Sequence, residues 1–245
     1  MQFGFGSGSA WGIDSGANPT PGRYDILQEG TVDFSFSNKP MTGEYQMPVT
    51  VGRGSGKISG KTKWGRLQGR AINSIFFGGS KAAGQTSVAK DEAGTIPGTP
   101  YQITVSNGAT WVDDLGVRDS VTLIPYVRVA SAPATGQYSA AAGGVYTFAA
   151  ADTTKTVTLS YTYTIAGTGE KVTIANQLIG AAPNFKQVLT QAYNGQRQTI
   201  VLNACVASKL AGGTKTEDFF VPELDWDAMA DASNNIGTWS FAEAS

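Results

Sequence analysis

The chain has 245 residues, with 18 basic and 19 acidic side chains, a formal net charge of −1 and no histidine. Imidazole is the commonest general base and metal ligand near neutral pH, so its absence excludes Ser-His-Asp and Cys-His hydrolysis and nearly every histidine-bearing zinc site. We therefore expect a protein that is not an enzyme and that uses no metal or cofactor. The length fits one β domain with elaborations or two small domains.

The first 30 residues are rich in glycine and proline and predict an irregular N-terminal arm. From Thr31 onwards, apolar and polar residues alternate with the period of a half-buried strand. A loop is expected around Lys39–Glu44, and Gly52–Trp64 then alternates again, with apolar or small residues at its even positions. If this segment is a strand, one face is basic, because the odd positions hold Arg53, Lys57, Lys61 and Lys63.

Residues 65–79 are the best helix candidate, because apolar residues recur four apart and a Gly-Gly pair follows as a stop signal. Residues 80–100 are polar and predict a flexible connection. Beyond it, short segments bounded by turn residues have a spacing typical of a β-sandwich or barrel. The predicted strands are 101–105, 109–112, 120–130, 144–149, 155–165, 171–178, 185–191, 197–207 and 236–242.

Charge is unevenly distributed along the chain. Residues 1–90 hold ten basic and five acidic side chains, and residues 91–245 hold eight basic and fourteen acidic ones. Such polarity would let the basic region of one copy contact the acidic region of another, although ordinary scatter of surface charge is an open alternative. The candidate subunit-interface residues are Lys39, Glu44, Arg53, Lys57, Lys61, Lys63, Glu217, Asp218, Glu223, Asp225 and Asp227.

Phosphate-binding, calcium-binding and reactive-cysteine sites have little support in the sequence. Gly60-Lys61-Thr62 resembles the end of a phosphate-binding loop, but Ser55 stands where its first glycine is required. The C-terminal acids lack the spacing of a calcium-binding loop, and Cys205 lies in an apolar run that predicts a buried structural thiol. No stretch has the length of a membrane span and the N-terminus lacks signal-peptide features, so we expect no membrane insertion and folding in a reducing cytoplasm.

The order of these features resembles the major tail proteins, or tail-tube subunits, of long-tailed bacteriophages. Five segments carry the resemblance: NPTPGRYDILQEGTVDFSFS, KPMTGEYQMPVTVGRGSGKISGKTKWGRLQGRAINSIFFGG, GQYSAAAGGVYTFAAADTTKTVTLSYTYT, KTEDFFVPELDWDAMAD and IGTWSFAE.

The resemblance implies a mainly β chain: a tail-tube-type β-sandwich or barrel with one flanking α-helix and a β-rich insertion. It implies an arm at 1–30, a tube domain at 31–97 and 150–245, and an inserted region at 98–149 displayed on the outside. Within the tube domain, 31–64 would form a long hairpin with its loop near 38–46, and 65–78 the flanking helix.

The resemblance also implies the function and the partners. Six copies would close into a ring, and rings would stack into the tube of a virion tail, assembled in the host cytoplasm. The partners would be further copies of the chain and other tail proteins, namely the tape measure, the terminator and the distal tail protein. DNA would pass through the tube without being held.

Three other classes stay open, the last of which is an enzyme, a glycosidase that uses carboxylates alone. A capsid decoration or head-tail connector protein is the nearest alternative. A carbohydrate-binding β-sandwich is the second, because exposed indole rings can stack on sugars, and the chain has Trp11, Trp64, Trp111, Trp226 and Trp239.

Overall fold

The computed structural model describes residues 4–66, 69, 72–79 and 81–242. It is mainly β, with 56% of residues in strands and 6% in helical segments, which confirms the predicted class. The helical segments are a π-helical turn at Ile72–Phe77 and 3-10 turns at Gly108–Thr110 and Ala150–Asp152. The strands are β1 Ser9–Asp14, β2 Pro21–Arg23, β3 Leu27–Met41, β4 Thr50–Trp64, β5 Lys81–Thr95, β6 Gln102–Thr104, β7 Trp111–Asp119, β8 Val127–Arg128, β9 Gln137–Ala141, β10 Val145–Phe148, β11 Thr156–Val172, β12 Asn184–Tyr193, β13 Gln196–Ala211, β14 Glu223–Met229 and β15 Gly237–Ser240.

The chain divides into two compact units. The first unit comprises residues 1–81 and 172–245, and the inserted unit comprises residues 82–171. The inserted unit contains the predicted insertion at 98–149 and extends beyond it at both ends. The reason is that β5 and β11 pair with each other, and β11 also pairs with β7, so both long strands belong to the inserted unit.

The first unit is built on one eight-stranded antiparallel sheet with the order β2-β1-β12-β13-β14-β4-β3. The short strand β15 pairs with β13 along the same edge of β13 as β14 does. The sheet curls until β3 approaches β1 and β12: the Ser7 hydroxyl donates a 2.6 Å hydrogen bond to the Leu27 carbonyl, and a Cβ on Gly30 would lie 2.9 Å from Leu189. The curled sheet encloses the core of this unit.

Strand β4 shows how the sequence pattern positions this core. Its even residues near the C-terminal end face inwards, and its lysines face outwards, as alternation requires. The indole ring of Trp226 covers Gly60, and its Nε1 donates a 3.1 Å hydrogen bond to the Thr62 hydroxyl. The buried residues of the core are Ala10, Tyr24, Leu27, Trp64, Ile75, Phe185, Leu202, Cys205, Leu224 and Trp226.

The prediction of an irregular arm at 1–30 is wrong for the described residues, because β1 and β2 are integral strands of the large sheet. The sequence hides β1 because its inward positions are small. A Cβ on Gly12 would lie 2.2 Å from Ile75 and 2.4 Å from the Tyr24 hydroxyl, so only glycine fits this close approach.

The predicted helix at 65–79 is described only in part. Residues 72–77 form the π-helical turn, which buries Ile75, and Gly78 follows with a φ of 60° in the left-handed region, as expected of a stop signal. Positions 67, 68, 70 and 71 of the predicted helix lie outside the described residues. The single flanking α-helix therefore stays a prediction.

Several predicted boundaries change in the structure. The prediction of a flexible connection at 80–100 is wrong, because residues 81–95 form β5. This strand is at the edge of its sheet and its side chains are mostly exposed, so the sequence shows no clear alternation of apolar and polar residues there. Of the predicted strand 109–112, residues 109 and 110 lie in a 3-10 turn and residues 111 and 112 begin β7. Only two residues of 120–130 are in a strand, and no strand covers 173–178. The predicted strands 101–105, 144–149, 155–165, 185–191, 197–207 and 236–242 correspond to β6, β10, β11, β12, β13 and β15.

The inserted unit contains two sheets that share one core. The order of the first sheet is β5-β11-β7, and that of the second is β6-β10-β9-β8, in which β8 and β9 are parallel. On β11 the alternate residues Val157, Leu159 and Tyr161 point inwards, as the sequence predicts. The buried core residues are Ile96, Val105, Val117, Tyr138, Tyr146, Phe148, Val157, Leu159 and Tyr161.

A buried carboxylate in the inserted unit supports a stability prediction. The Asp114 side chain, only 2% exposed, accepts hydrogen bonds from the hydroxyls of Tyr138 at 2.6 Å and Tyr146 at 3.1 Å. Asp114→Ala leaves both hydroxyls without this acceptor and should cost about 3 kcal/mol of unfolding free energy, measured by urea denaturation. Asp113→Ala, in an exposed position, is the control. Equal losses for the two variants would contradict the prediction.

Candidate assembly interface

The predicted basic and acidic regions meet within one chain, on the outer face of the large sheet. Strands β4 and β14 are antiparallel neighbours, and their register places Lys63 opposite Glu223 and Lys61 opposite Asp225. The residues of this charged face lie on β3, β4, β13 and β14: Glu29, Lys57, Lys61, Lys63, Lys209, Glu223, Asp225 and Asp227.

Every lysine of the charged face has a carboxylate partner. The Nζ–carboxylate distances are 3.0 Å for Lys57–Asp227, 3.0 Å for Lys61–Glu223, 3.9 Å for Lys61–Asp225, 2.6 Å for Lys63–Glu29, 3.4 Å for Lys63–Glu223, 3.5 Å for Lys209–Glu223 and 3.7 Å for Lys209–Asp225. Four lysines thus face four carboxylates, and the charged face carries no net charge.

The pairing shifts the pKa values on this face. The hydrogen bond from Lys61 lowers the pKa of the Glu223 carboxyl, and Lys63 lowers it further. The hydrogen bond to Glu223 raises the pKa of Lys61, and the hydrogen bond to Glu29 raises that of Lys63. Because the pKa of Glu223 is lowered in the folded state, its stabilising contribution is lost as the pH falls through that folded-state pKa. Because the pKa values of Lys61 and Lys63 are raised, their contribution is lost as the pH rises through the folded-state pKa values of the two lysines. The charged face therefore stabilises the fold in the neutral range.

Glu223→Gln tests this contribution. We expect a melting temperature lowered by a few degrees at most at neutral pH and low salt, because exposed ion pairs contribute little. The difference from the wild type should vanish in molar salt and also at acid pH, where the wild-type carboxyl is protonated. Glu217→Gln, in an exposed loop, is the control. A difference that persists at acid pH would show that the effect is not electrostatic.

The remaining charged candidates lie elsewhere. Lys39 and Arg53 are on the outer part of the hairpin formed by β3 and β4, where the Arg53 guanidinium lies 4.1 Å from the centre of the Phe36 ring. Glu44 is exposed in the hairpin loop. Glu217 and Asp218 are in the exposed loop between β13 and β14, and Asp218 lies 4.0 Å from Lys215. An interface role for all eleven residues stays a prediction, but the ion pairs of the charged face already neutralise six of them.

The long hairpin expected at 31–64 is formed by β3 and β4, and its loop is at 42–49 rather than near 38–46, because the two strands stay paired as far as Met41 and Thr50. We call the outer half of this hairpin, residues 34–57, the distal hairpin. The β3–β4 register continues to Met41 and Thr50, whereas β14 reaches only to Ile58 of β4. Beyond Ile58 no strand among the described residues pairs with either edge of the hairpin. The distal hairpin is therefore a two-stranded ribbon that leaves the body of the first unit.

Apolar side chains cover the distal hairpin and are exposed to solvent. A two-stranded ribbon is marginally stable in water by itself, and this ribbon exposes seven large apolar side chains. Alternation could reveal these residues in the sequence, but it could not show that they lack a covering layer. They are Phe34, Phe36, Met41, Tyr45, Met47, Val49 and Val51.

The tryptophans bear on the carbohydrate alternative. Trp64 and Trp226 are buried in the core, and Trp11 and Trp111 are half-buried. Trp239 is exposed at 48%, and its ring packs against Phe34 at 5.6 Å and Phe241 at 5.1 Å between ring centres. The indole rings are thus used mainly in packing, and the exposed one is already stacked on two phenylalanines.

Two further sequence expectations concern single sites. Cys205 is buried, as predicted, and burial raises the pKa of its thiol to about 12, which keeps it protonated and unreactive. Gly60-Lys61-Thr62 lies within β4, near its C-terminal end, without the loop-to-helix geometry of a phosphate site. Over the described ranges, no three acidic or cysteine side chains are grouped to hold a metal ion.

No protein-family model matches the chain, and no curated protein matches it. Within the part of the chain that the structure describes, no helix combines the length and apolar character needed to cross a membrane.

Proposed function

We propose that this chain is a non-enzymatic structural protein of a virion, whose copies assemble into stacked, six-membered rings that form the tail tube of a long-tailed bacteriophage. The tube conducts DNA during ejection. The six-fold ring and the tail proteins named as partners rest on the sequence resemblance. The distal hairpin is the observation that carries the proposal.

The distal hairpin supports assembly through its backbone and through its side chains. Both of its edges present unpaired N–H and C=O groups, which pair readily with another chain. Its exposed apolar residues would be removed from water by such a contact, and each fully buried aliphatic side chain contributes about 1.5 to 3 kcal/mol. A ribbon of this kind is stabilised when a neighbouring copy covers it.

The open edge of the large sheet supports the ring. Strand β3 is the last strand in the sheet order, so its second edge carries no strand among the described residues. A contact between this edge and a different surface of the next copy is heterologous, and heterologous contacts close into a ring when the rotation allows it. The same edge would otherwise be a site of uncontrolled aggregation.

The charged face suits a conduit for DNA. Protein cations that hold DNA do so by neutralising phosphates and releasing counterions. On the charged face the lysines are already neutralised by carboxylates of the same chain. Wherever this face lies in an assembly, it offers phosphates no net positive field.

Electron microscopy of the purified chain, with light scattering for mass, tests the proposal. We expect rings and short tubes, forming spontaneously or after addition of tail completion proteins. A chain that remains monomeric under both conditions would overturn the proposal. Labelling of the protein on intact virions separates the alternatives, because a decoration protein would be found on the capsid and a connector protein at the head-tail junction.

A further inference from the structure

The chain contains two Asn-Gly pairs, Asn107-Gly108 and Asn194-Gly195. An asparagine followed by glycine is prone to lose its side-chain amide, because glycine has no side chain beside the backbone nitrogen that attacks the asparagine Cγ. The attacking nitrogen must first give up its proton, so a hydrogen bond that holds this proton slows the reaction, as it slows amide hydrogen exchange. The structure around each pair therefore decides which of the two reacts.

Asn194-Gly195 is the two-residue turn between β12 and β13. Tyr193 pairs with Gln196, and Asn194 and Gly195 have φ values of 48° and 77°, as in the type I′ turn that Asn-Gly favours. Both turn residues are exposed, and a Cβ on Gly195 would meet no atom within 4 Å. Among the described residues, neither the Asn194 side chain nor the Gly195 N–H has a hydrogen-bond partner. No contact therefore restrains the groups that react.

The other pair, Asn107-Gly108, is held at both reacting groups. The Asn107 Nδ2 donates a 3.1 Å hydrogen bond to the Tyr161 hydroxyl, and the Gly108 N–H donates a 3.0 Å hydrogen bond to the Val105 carbonyl. Gly108 is also buried, and a Cβ there would lie 2.5 Å from the Gly143 carbonyl oxygen. Attack at this pair requires local opening of the inserted unit.

We propose that Asn194 is a site of spontaneous deamidation in the folded protein. The Gly195 nitrogen bonds to the Asn194 Cγ, the Cγ–Nδ2 bond breaks, and the proton of the Gly195 N–H ends on the ammonia that leaves. Water then opens one of the two carbonyl groups of the resulting succinimide, which gives either aspartate or isoaspartate. The reaction needs only water, and it is independent of the proposed function because it depends only on the turn.

The modification changes the turn itself. Both products add a negative charge, and isoaspartate also lengthens the backbone by a methylene group. Because the turn type and loop length set the register of a hairpin, the longer backbone does not fit the two-residue turn. We expect this end of the β12–β13 hairpin, where Tyr193 packs against Phe5 at 5.7 Å between ring centres, to open.

Peptide mapping by mass spectrometry of the full chain, incubated in mildly alkaline buffer, tests the proposal. We expect Asn194 to be converted at least about tenfold faster than Asn107, because Asn107 reacts only from a locally open state. The products at Asn194 should include isoaspartate, which chromatography separates from the aspartate peptide of an Asn194→Asp variant. The same chain unfolded in urea is the control, in which the two pairs should react at similar rates.

Hydrogen–deuterium exchange on the incubated chain measures the consequence, and molecules with isoaspartate should exchange faster at 191–198 than unmodified ones. The site is overturned if Asn107 reacts as fast as Asn194 in the folded chain, or if Asn194 stays intact there while the unfolded chain reacts. Aspartate without isoaspartate would overturn the succinimide route, because direct hydrolysis of the side-chain amide gives aspartate alone. Unchanged exchange at 191–198 would overturn the expected opening of the hairpin.

Discussion

Gly60→Ala is expected to unfold the first unit or to lower its unfolding free energy by about 3 kcal/mol, the upper end of typical overpacking costs. A Cβ at this position would lie 2.2 Å from the Trp226 ring and 2.4 Å from the Thr31 carbonyl oxygen. Neither group can move away easily, because Trp226 is fully buried and Thr31 belongs to the paired strand β3. The added methyl group must therefore separate β4 from its neighbours or displace the ring from the core.

Hydrogen–deuterium exchange with mass spectrometry measures this effect unit by unit. Strands β4, β13 and β14 should lose protection, whereas β10 and β11 of the inserted unit should keep theirs. Gly43→Ala is the matched control, because a Cβ there meets no atom within 4 Å, and we expect a change within about 0.5 kcal/mol. Identical protection in the two variants would show that the close contact at Gly60 is not required.

Val49→Ser combined with Val51→Ser should suppress assembly and leave the subunit folded. Both side chains are exposed on the distal hairpin, at 76% and 53%, so their replacement removes little from the folded monomer. If a neighbouring copy buries them, the loss of two aliphatic contacts should raise the concentration needed for assembly roughly 100-fold, at about 1.5 kcal/mol each. Sedimentation velocity across a concentration series measures the shift.

The same pair of substitutions in the inserted unit provides the control. Val121 and Val127 are exposed at 82% and 60%, so Val121→Ser combined with Val127→Ser removes the same atoms at similar exposure. We expect this variant to assemble like the wild type. If both variants assemble normally, the distal hairpin is not an assembly contact. Equal impairment of both would mean that general surface hydrophobicity drives association.

Local alternation predicted the strands whose pattern is strong. The predicted strand character of Gly52–Trp64 and of 155–165 is confirmed by β4 and β11, because a strand with one buried face must alternate apolar and polar residues. Strand β5 escaped prediction because it is an edge strand with a mostly exposed surface, and β1 escaped because Ala10 and Gly12 fill inward positions where close packing demands small residues.

The charged residues show a different limit of sequence reasoning. Their separation along the chain indicated attraction between opposite regions, and the structure joins Lys61 to Glu223 across 162 positions of the same chain. Strand neighbours distant in sequence are set by the packing of the whole sheet, and a register shift of one residue would turn Glu223 to the other face. The sequence could therefore indicate the two charge regions but not whether they meet within one chain or between two.

The sequence by itself determined the mainly β class, the two faces of β4 and the exclusion of histidine chemistry, because each follows from residue type and local period. Tertiary structure decided which surfaces are left without a partner. The alternating apolar residues of the distal hairpin look in the sequence like one face of a buried strand. They are exposed because β14 ends its pairing with β4 at Ile58, a boundary set by strands far away in the chain. Whether a residue is buried depends on the residues that surround it, and the strand pairing of the whole sheet determines which residues those are.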